Sequence, residues 1–181
     1  MNVDNKNTKI GILAIQGSFI EHAQILDSMK VPYILVRSKE KLEDLTHLIM
    51  PGGESTTMEK LLKEFEIWDL LKQKIDSETI KVFGTCAGAI LLSKLGLNIS
   101  VERNGYGSQL HSFSAKLESE QFPNLHGIFI RAPYLKVEDN NTKVLATHEG
   151  RPVLVEQDNI LAASFHPELA DETRVYKYFL E

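Results

Sequence analysis

Cys86 is the single cysteine of this 181-residue chain, and it lies in Gly84-Thr85-Cys86-Ala87-Gly88, a Gly-x-Cys-x-Gly spacing. The apolar run Ile80 to Phe83 before it reads as a buried strand, and Ala87 to Lys94 after it as a helix that stops near Gly96. A sharp strand-to-helix turn is where a nucleophile elbow is built. The glycines give such a turn backbone freedom, and the positive end of the following helix favours thiolate over thiol. The chemistry that follows is nucleophilic attack on a carbonyl carbon. A lone cysteine more often packs than reacts; here the two glycines and the strand-helix context argue for reaction.

A base is available in Ser164-Phe165-His166-Pro167-Glu168, which closes the predicted strand Ile160 to Phe165. Pro167 biases His166 toward an extended backbone, in which residues two apart share a side. Glu168 is therefore expected beside the imidazole, orienting it as a triad carboxylate does. The other histidines have weaker claims. His148 and Glu149 are adjacent on a predicted strand and so face opposite ways, and His22 falls on the polar side of an amphipathic helix. His47, His111 and His126 carry no motif and are expected to be structural or solvated. The third element is Pro51-Gly52-Gly53-Glu54-Ser55, again between a strand and a helix, where glycine amides could meet a developing oxyanion.

The elements that must position these residues have two textures. In the first half, short apolar runs alternate with amphipathic ones. Ile10 to Ile15, Tyr33 to Val36, Leu48 to Met50 and Ile80 to Phe83 read as strands. Phe19, Ala23, Leu26 and Met29 recur at helical spacing, and Met58, Leu61, Leu62, Phe65 and Trp68 form one stripe of a single helix, with Thr56 and Glu59 as a capping box. From Ile99 the chain turns to strands without clear helices: Ile99 to Arg103, Ser112 to Leu117, Gly127 to Arg131, Lys143 to Thr147, Pro152 to Glu156 and Ile160 to Phe165. Asp171 to Leu180 reads as a closing helix. The expected fold is α/β, a single domain over residues 1–181 with a mostly parallel central sheet flanked by helices and an antiparallel strand extension.

Composition narrows the partners. A formal net charge of −5 with interspersed lysines and arginines leaves no basic surface for nucleic acid or for an anionic membrane. No apolar run approaches the roughly 18 residues of a membrane span, and the first nine residues are too polar for a signal-peptide core. A cytoplasmic protein is expected, with no disulfide, no thiolate-rich metal site and no need of a cofactor.

Together, the Pro51 to Thr57 run, the Gly84 to Gly88 elbow and Ser164 to Glu168 resemble the three signatures of class I, triad-type glutamine amidotransferases. Leu13-Ala14-Ile15-Gln16-Gly17, Val101-Glu102-Arg103-Asn104 and Phe129-Ile130-Arg131-Ala132-Pro133 narrow the resemblance to the glutaminase subunits of pyridoxal 5'-phosphate synthase, over almost the whole chain. The stretch Ser93 to Asn98 looks shorter than is usual in that family. The resemblance implies Cys86, His166 and Glu168 as the triad, and Gly53 and Ala87 as the oxyanion hole. It further implies Gly53, Glu54, Ser55, Arg103, Ile130 and Arg131 as contacts to L-glutamine, and Gln16 near a partner interface. It also implies that ammonia passes to a separate (β/α)8-barrel synthase subunit in a hetero-oligomer. Two other readings share the scaffold: another cysteine hydrolase, which would need neither Arg103 nor the Gly-Gly-Glu-Ser turn, and a regulatory subunit, which should have lost a triad member.

Overall fold

A computed structural model describes residues 8–103, 105–106 and 112–181. Its main sheet has seven strands in the order β2-β1-β3-β4-β11-β10-β9. The five strands β1 (Ile10–Leu13), β2 (Ile34–Val36), β3 (His47–Met50), β4 (Lys81–Thr85) and β11 (Ile160–Ala163) are parallel. The antiparallel β10 (Arg151–Gln157) and β9 (Lys143–His148) extend one edge. Two small antiparallel pairs lie outside it: β5 (Ile99–Glu102) with β8 (Tyr134–Val137), and β6 (Phe113–Lys116) with β7 (His126–Phe129). The expected parallel sheet with an antiparallel extension is what forms.

Alternation along the parallel strands divides the core in two. Leu13, Leu48, Met50 and Val82 point to one face, where they meet α3 (Ser55–Glu64), α4 (Ile67–Asp76) and α5 (Ala87–Leu95) through Met58, Leu62, Leu71 and Leu92. Ile12, Ile49, Phe83 and Leu161 point to the other, against α1 (Phe19–Ser28) and α6 (Thr173–Leu180) through Ile25, Leu26, Tyr176 and Phe179. Strands buried on both faces read as continuous apolar runs, which is why periodicity found them.

Several expectations are corrected. The stripe from Met58 to Trp68 is two helices, because Glu66 sits in the left-handed region at φ 56° and breaks the run. The Thr56/Glu59 capping box does not form. Glu54 caps α3 instead, its carboxylate accepting from the N–H groups of Thr56 (3.1 Å) and Thr57 (2.7 Å). Glu59 pairs with Lys63 and Lys94. The short helix α2 (Lys39–Glu43) and strand β8 were not expected; α2 is little more than one turn, too short for a 3.6-residue period to register. The stretch after α5 closes compactly. Gly96 turns at φ 139°, and the Gln157 amide spans the corner, accepting from Asn98 N–H (2.7 Å) and donating to the Gly96 carbonyl (3.3 Å). His111 and Asn104 lie outside the described residues.

Candidate active site

The elbow takes the strained form its glycines permit. Cys86 itself has φ 49° and ψ −103°, a conformation non-glycine residues rarely adopt. Its N–H donates to the Ala163 carbonyl on β11 (2.8 Å), which holds the turn in place. A Cβ on Gly88 would overlap the Met50 carbonyl, and one on Gly84 would press on Leu92 and on the Gly88 backbone. Only glycine at both positions lets α5 start this close to the sheet. Cys86 is buried, with Sγ 3.8 Å from the Ile130 carbonyl. Ala87 opens α5, so its N–H has no acceptor within the helix.

β11 is the parallel neighbour of β4, with Ala163 opposite Thr85. Three residues later the chain reaches His166, whose N–H donates to the Ile128 carbonyl (2.8 Å). His166 Nδ1 donates to Glu168 Oε1 at 2.7 Å. The expected pair is therefore present, but the expected reason for it is not. His166-Pro167-Glu168 is not extended: Pro167–Leu169 is a 3-10 turn, opening on the proline, and the turn swings the carboxylate back under the imidazole. Burial opposes charge on His166, but hydrogen bonds and charge from Cys86 and Glu168 outweigh it and raise the imidazole to about 10. Burial likewise opposes charge on Glu168, and the hydrogen bond and charge of His166 act against it, with the carboxyl held below its usual range.

Cys86 and His166 open onto a cleft of about 580 Å³ that also takes in Gly53, Glu54, Ser55, Ala87, Arg103, Ile130 and Arg131. Every residue expected to touch substrate thus borders the same space. Arg103 donates to the hydroxyls of Ser55 (2.7 Å) and Thr56 (3.3 Å). Both are neutral, so they orient the guanidinium without cancelling its charge. Arg131 turns the chain at φ 46° on the same cleft. Hydrogen bonds from Thr57 and Thr56 lower the exposed Glu54 carboxyl to about 2, so it remains an anion at the rim. Gln16, expected near an interface, is half-buried, and its side-chain oxygen accepts the Glu54 N–H at 3.0 Å. It braces the turn that carries Gly53. A Cβ on Gly53 would collide with that same oxygen, and one on Gly17 with the Gly52 carbonyl.

Four residues around Glu168 escaped the sequence reading. Ser18 Oγ donates to Glu168 Oε1 (3.0 Å). His22, expected on a polar face, is fully buried: Nε2 lies 3.2 Å from Thr85 Oγ1 and 3.5 Å from Glu168 Oε1, and Nδ1 lies 2.6 Å from the Tyr176 hydroxyl. The face of α1 that looked polar is turned inward onto polar partners, a distinction that periodicity cannot draw. The available signal was the four-residue spacing of Ser18 and His22, which stacks them on one helical face.

Comparison with known proteins identifies the family. Residues 12–181 match the SNO glutamine amidotransferase family. The pyridoxal 5'-phosphate synthase subunit PdxT of Thermosipho africanus is 47% identical, the alignment covering 95% of this chain and 97% of that protein. A protein of the same name from Thermus thermophilus is 45% identical, covering 95% and 96%. A crystal structure of a glutamine amidotransferase superposes with a TM-score of 0.90 at 44% identity, over 94% of this chain and 96% of that one. A second glutamine amidotransferase structure, from Thermotoga maritima, is 18% identical with a TM-score of 0.67, covering 97% and 85%, and shares the fold.

Proposed function

Because the chain belongs to the SNO glutamine amidotransferase family, we propose that it hydrolyses L-glutamine to L-glutamate and ammonia through Cys86, His166 and Glu168. The observation that carries this is the meeting, in one cleft, of a cysteine on a φ 49° elbow, a histidine held by a buried carboxylate, and Arg103 held by two hydroxyls. The two ends of an amino acid have counterparts there: Arg103 and Arg131 for the carboxylate, Glu54 for the ammonium.

In the first half of the reaction, His166 takes the Cys86 proton and the thiolate attacks the amide carbon. The N–H groups of Gly53 and Ala87 stabilise the oxyanion, and the His166 imidazolium gives its proton to the departing ammonia. Its raised proton affinity keeps the imidazolium intact at neutral pH. A γ-glutamyl thioester remains. In the second half, that thioester no longer carries the sulfur's negative charge, so His166 can act as base toward water, and glutamate leaves. Glu168 stabilises the imidazolium in both halves. No step requires a metal or an organic cofactor.

The names of the relatives extend the reading. The ammonia goes to a separate pyridoxal 5'-phosphate synthase subunit, a (β/α)8 barrel, with Gln16 near the contact between the two. The whole chain acts as one glutaminase domain in the cytoplasm, where its single thiol stays reduced. The test is glutamate release with and without the synthase subunit, and with Cys86→Ala. The variant should lose activity on the order of 10³-fold or more, and removing the partner should lower the wild-type rate. Equal rates in all three mixtures would sink both the triad and the coupling.

A further inference from the structure

Glu168 presents an asymmetry. Among the described residues, Ser18 and His166 donate to Oε1 and His22 Nε2 lies 3.5 Å from it, while Oε2 is buried without a hydrogen-bond partner. A carboxylate rotates broadly about its last torsion. Its plane is therefore set by what surrounds Oε1: the hydrogen bonds with His166 and Ser18, and the close imidazole of His22, itself bonded to Thr85. His166 is the group Glu168 is meant to orient, which leaves Ser18 and His22 to do the orienting.

His22 can do so in only one tautomer. Its Nε2 faces the Glu168 carboxylate, which only accepts, and the Thr85 hydroxyl. A lone pair there would repel the carboxylate, so Nε2 carries the hydrogen. Nδ1 must then accept, and the buried Tyr176 hydroxyl donates to it at 2.6 Å. The groups facing His22 are thus Tyr176 from α6, Glu168 and His166 from the 3-10 turn, Thr85 from β4, and Glu21 on its own helix. Burial holds the imidazole below its ordinary range, against the pull of Glu168. A neutral His22 leaves the carboxylate's charge to His166; a protonated one would compete for it.

We infer that His22 is a positioning residue of the triad. Locked by Tyr176 into its Nε2–H form, it bonds Thr85, the residue preceding the nucleophile, and sets its N–H edge 3.5 Å from the carboxylate that orients the base. This deepens the proposed function and rests on it for the role of His166. Loss of the lock lets Glu168 rotate and the His166 imidazole drift while the cleft residues stay where they are.

The test uses the full chain with the synthase subunit added, in wild-type, His22→Leu, His22→Gln and Tyr176→Phe forms. Two quantities are read: kcat and KM for glutamate release, and the downfield proton resonance of the His166–Glu168 hydrogen bond, taken on the chain without turnover. His22→Leu and Tyr176→Phe should lower kcat on the order of 10-fold with KM unchanged, and should shift or broaden the resonance. His22→Gln, whose amide can still donate, should recover much of both. A folded His22→Leu with wild-type kcat and an unmoved resonance overturns the inference. So does an equal kcat loss in the Leu and Gln variants with the resonance unmoved, since that is a packing effect only. If His22→Leu does not fold, Tyr176→Phe decides by the same two readings. A wild-type chain that releases no glutamate sinks the proposed function instead, and the resonance still decides the positioning.

Discussion

Gly52 shows how little room Cys86 and His166 leave one another. A Cβ there would lie 2.5 Å from His166 Cε1, 3.2 Å from Nδ1 and 3.4 Å from Cys86 Cβ. The imidazole, already held by Glu168, would have to move. Gly52→Ala is expected to cost about 100-fold in kcat with little change in melting temperature, checked by steady-state kinetics beside thermal unfolding. Cys86, His166, Glu168 and the Gly52-Gly53 turn were legible in the sequence because elbows and turns need particular residue types at fixed spacing. His22 and Tyr176 were not. They are 154 residues apart, and a histidine bonded to a tyrosine across a core leaves no local pattern. His166 and Glu168 were paired correctly on a wrong conformational argument: either an extended backbone or a proline-led turn brings residues two apart together.

At the scale of elements, α3 depends on one side chain. Glu54 takes up the free N–H groups of Thr56 and Thr57 and also the Thr57 hydroxyl (2.6 Å). Its folded carboxyl sits near 2, against an ordinary 4.5. A depressed acid stabilises the fold above its unfolded value and loses that contribution as pH falls through the folded one. Glu54→Ala should therefore melt at a lower temperature than wild type near neutrality. The gap should stay constant down to about pH 4.5 and then narrow toward pH 2, checked by thermal unfolding across that range. Because Ser55 and Thr56 also hold Arg103, the variant should raise KM for glutamine too. The sequence placed the start of this helix but ran it on past Glu66 and assigned its cap to the wrong pair. Ser/Thr-x-x-Glu is a common signature, whereas a glutamate at the N-cap itself is less often read as one. The break at Glu66 was hidden for a similar reason, since its apolar flanks keep helical phase across it.

At the scale of the molecule, the site is built between two cores, and the far core reaches it through aromatic packing. Phe83 on β4 meets Tyr176 and Phe179 of α6 with ring centroids 5.6 Å away in each case. Phe83→Ala should lose about 3–5 kcal/mol of stability, seen as a lower urea midpoint. It should also slow turnover, because Tyr176 loses its packing while still having to reach His22. The two-sided sheet was the most legible part of the fold, since strands covered on both faces need continuous apolar runs. Of the small pairs, β5, β6 and β7 were legible as strands and β8 was not, being four residues long and largely half-exposed. The adjacency of β4 and β11 has one more consequence. Cys86 and His166 follow the ends of neighbouring strands, joined by the bond from Cys86 N–H to Ala163. The interval between them is thus measured by the peptide ladder, whose pitch of roughly 4.8 Å is a constant of backbone chemistry. The opposite wall, carried by Arg103 and by Ile130 and Arg131, follows strands of the two small pairs outside the main sheet. Substrate preference can therefore drift by changes in that wall while the spacing of the reacting atoms is inherited unaltered.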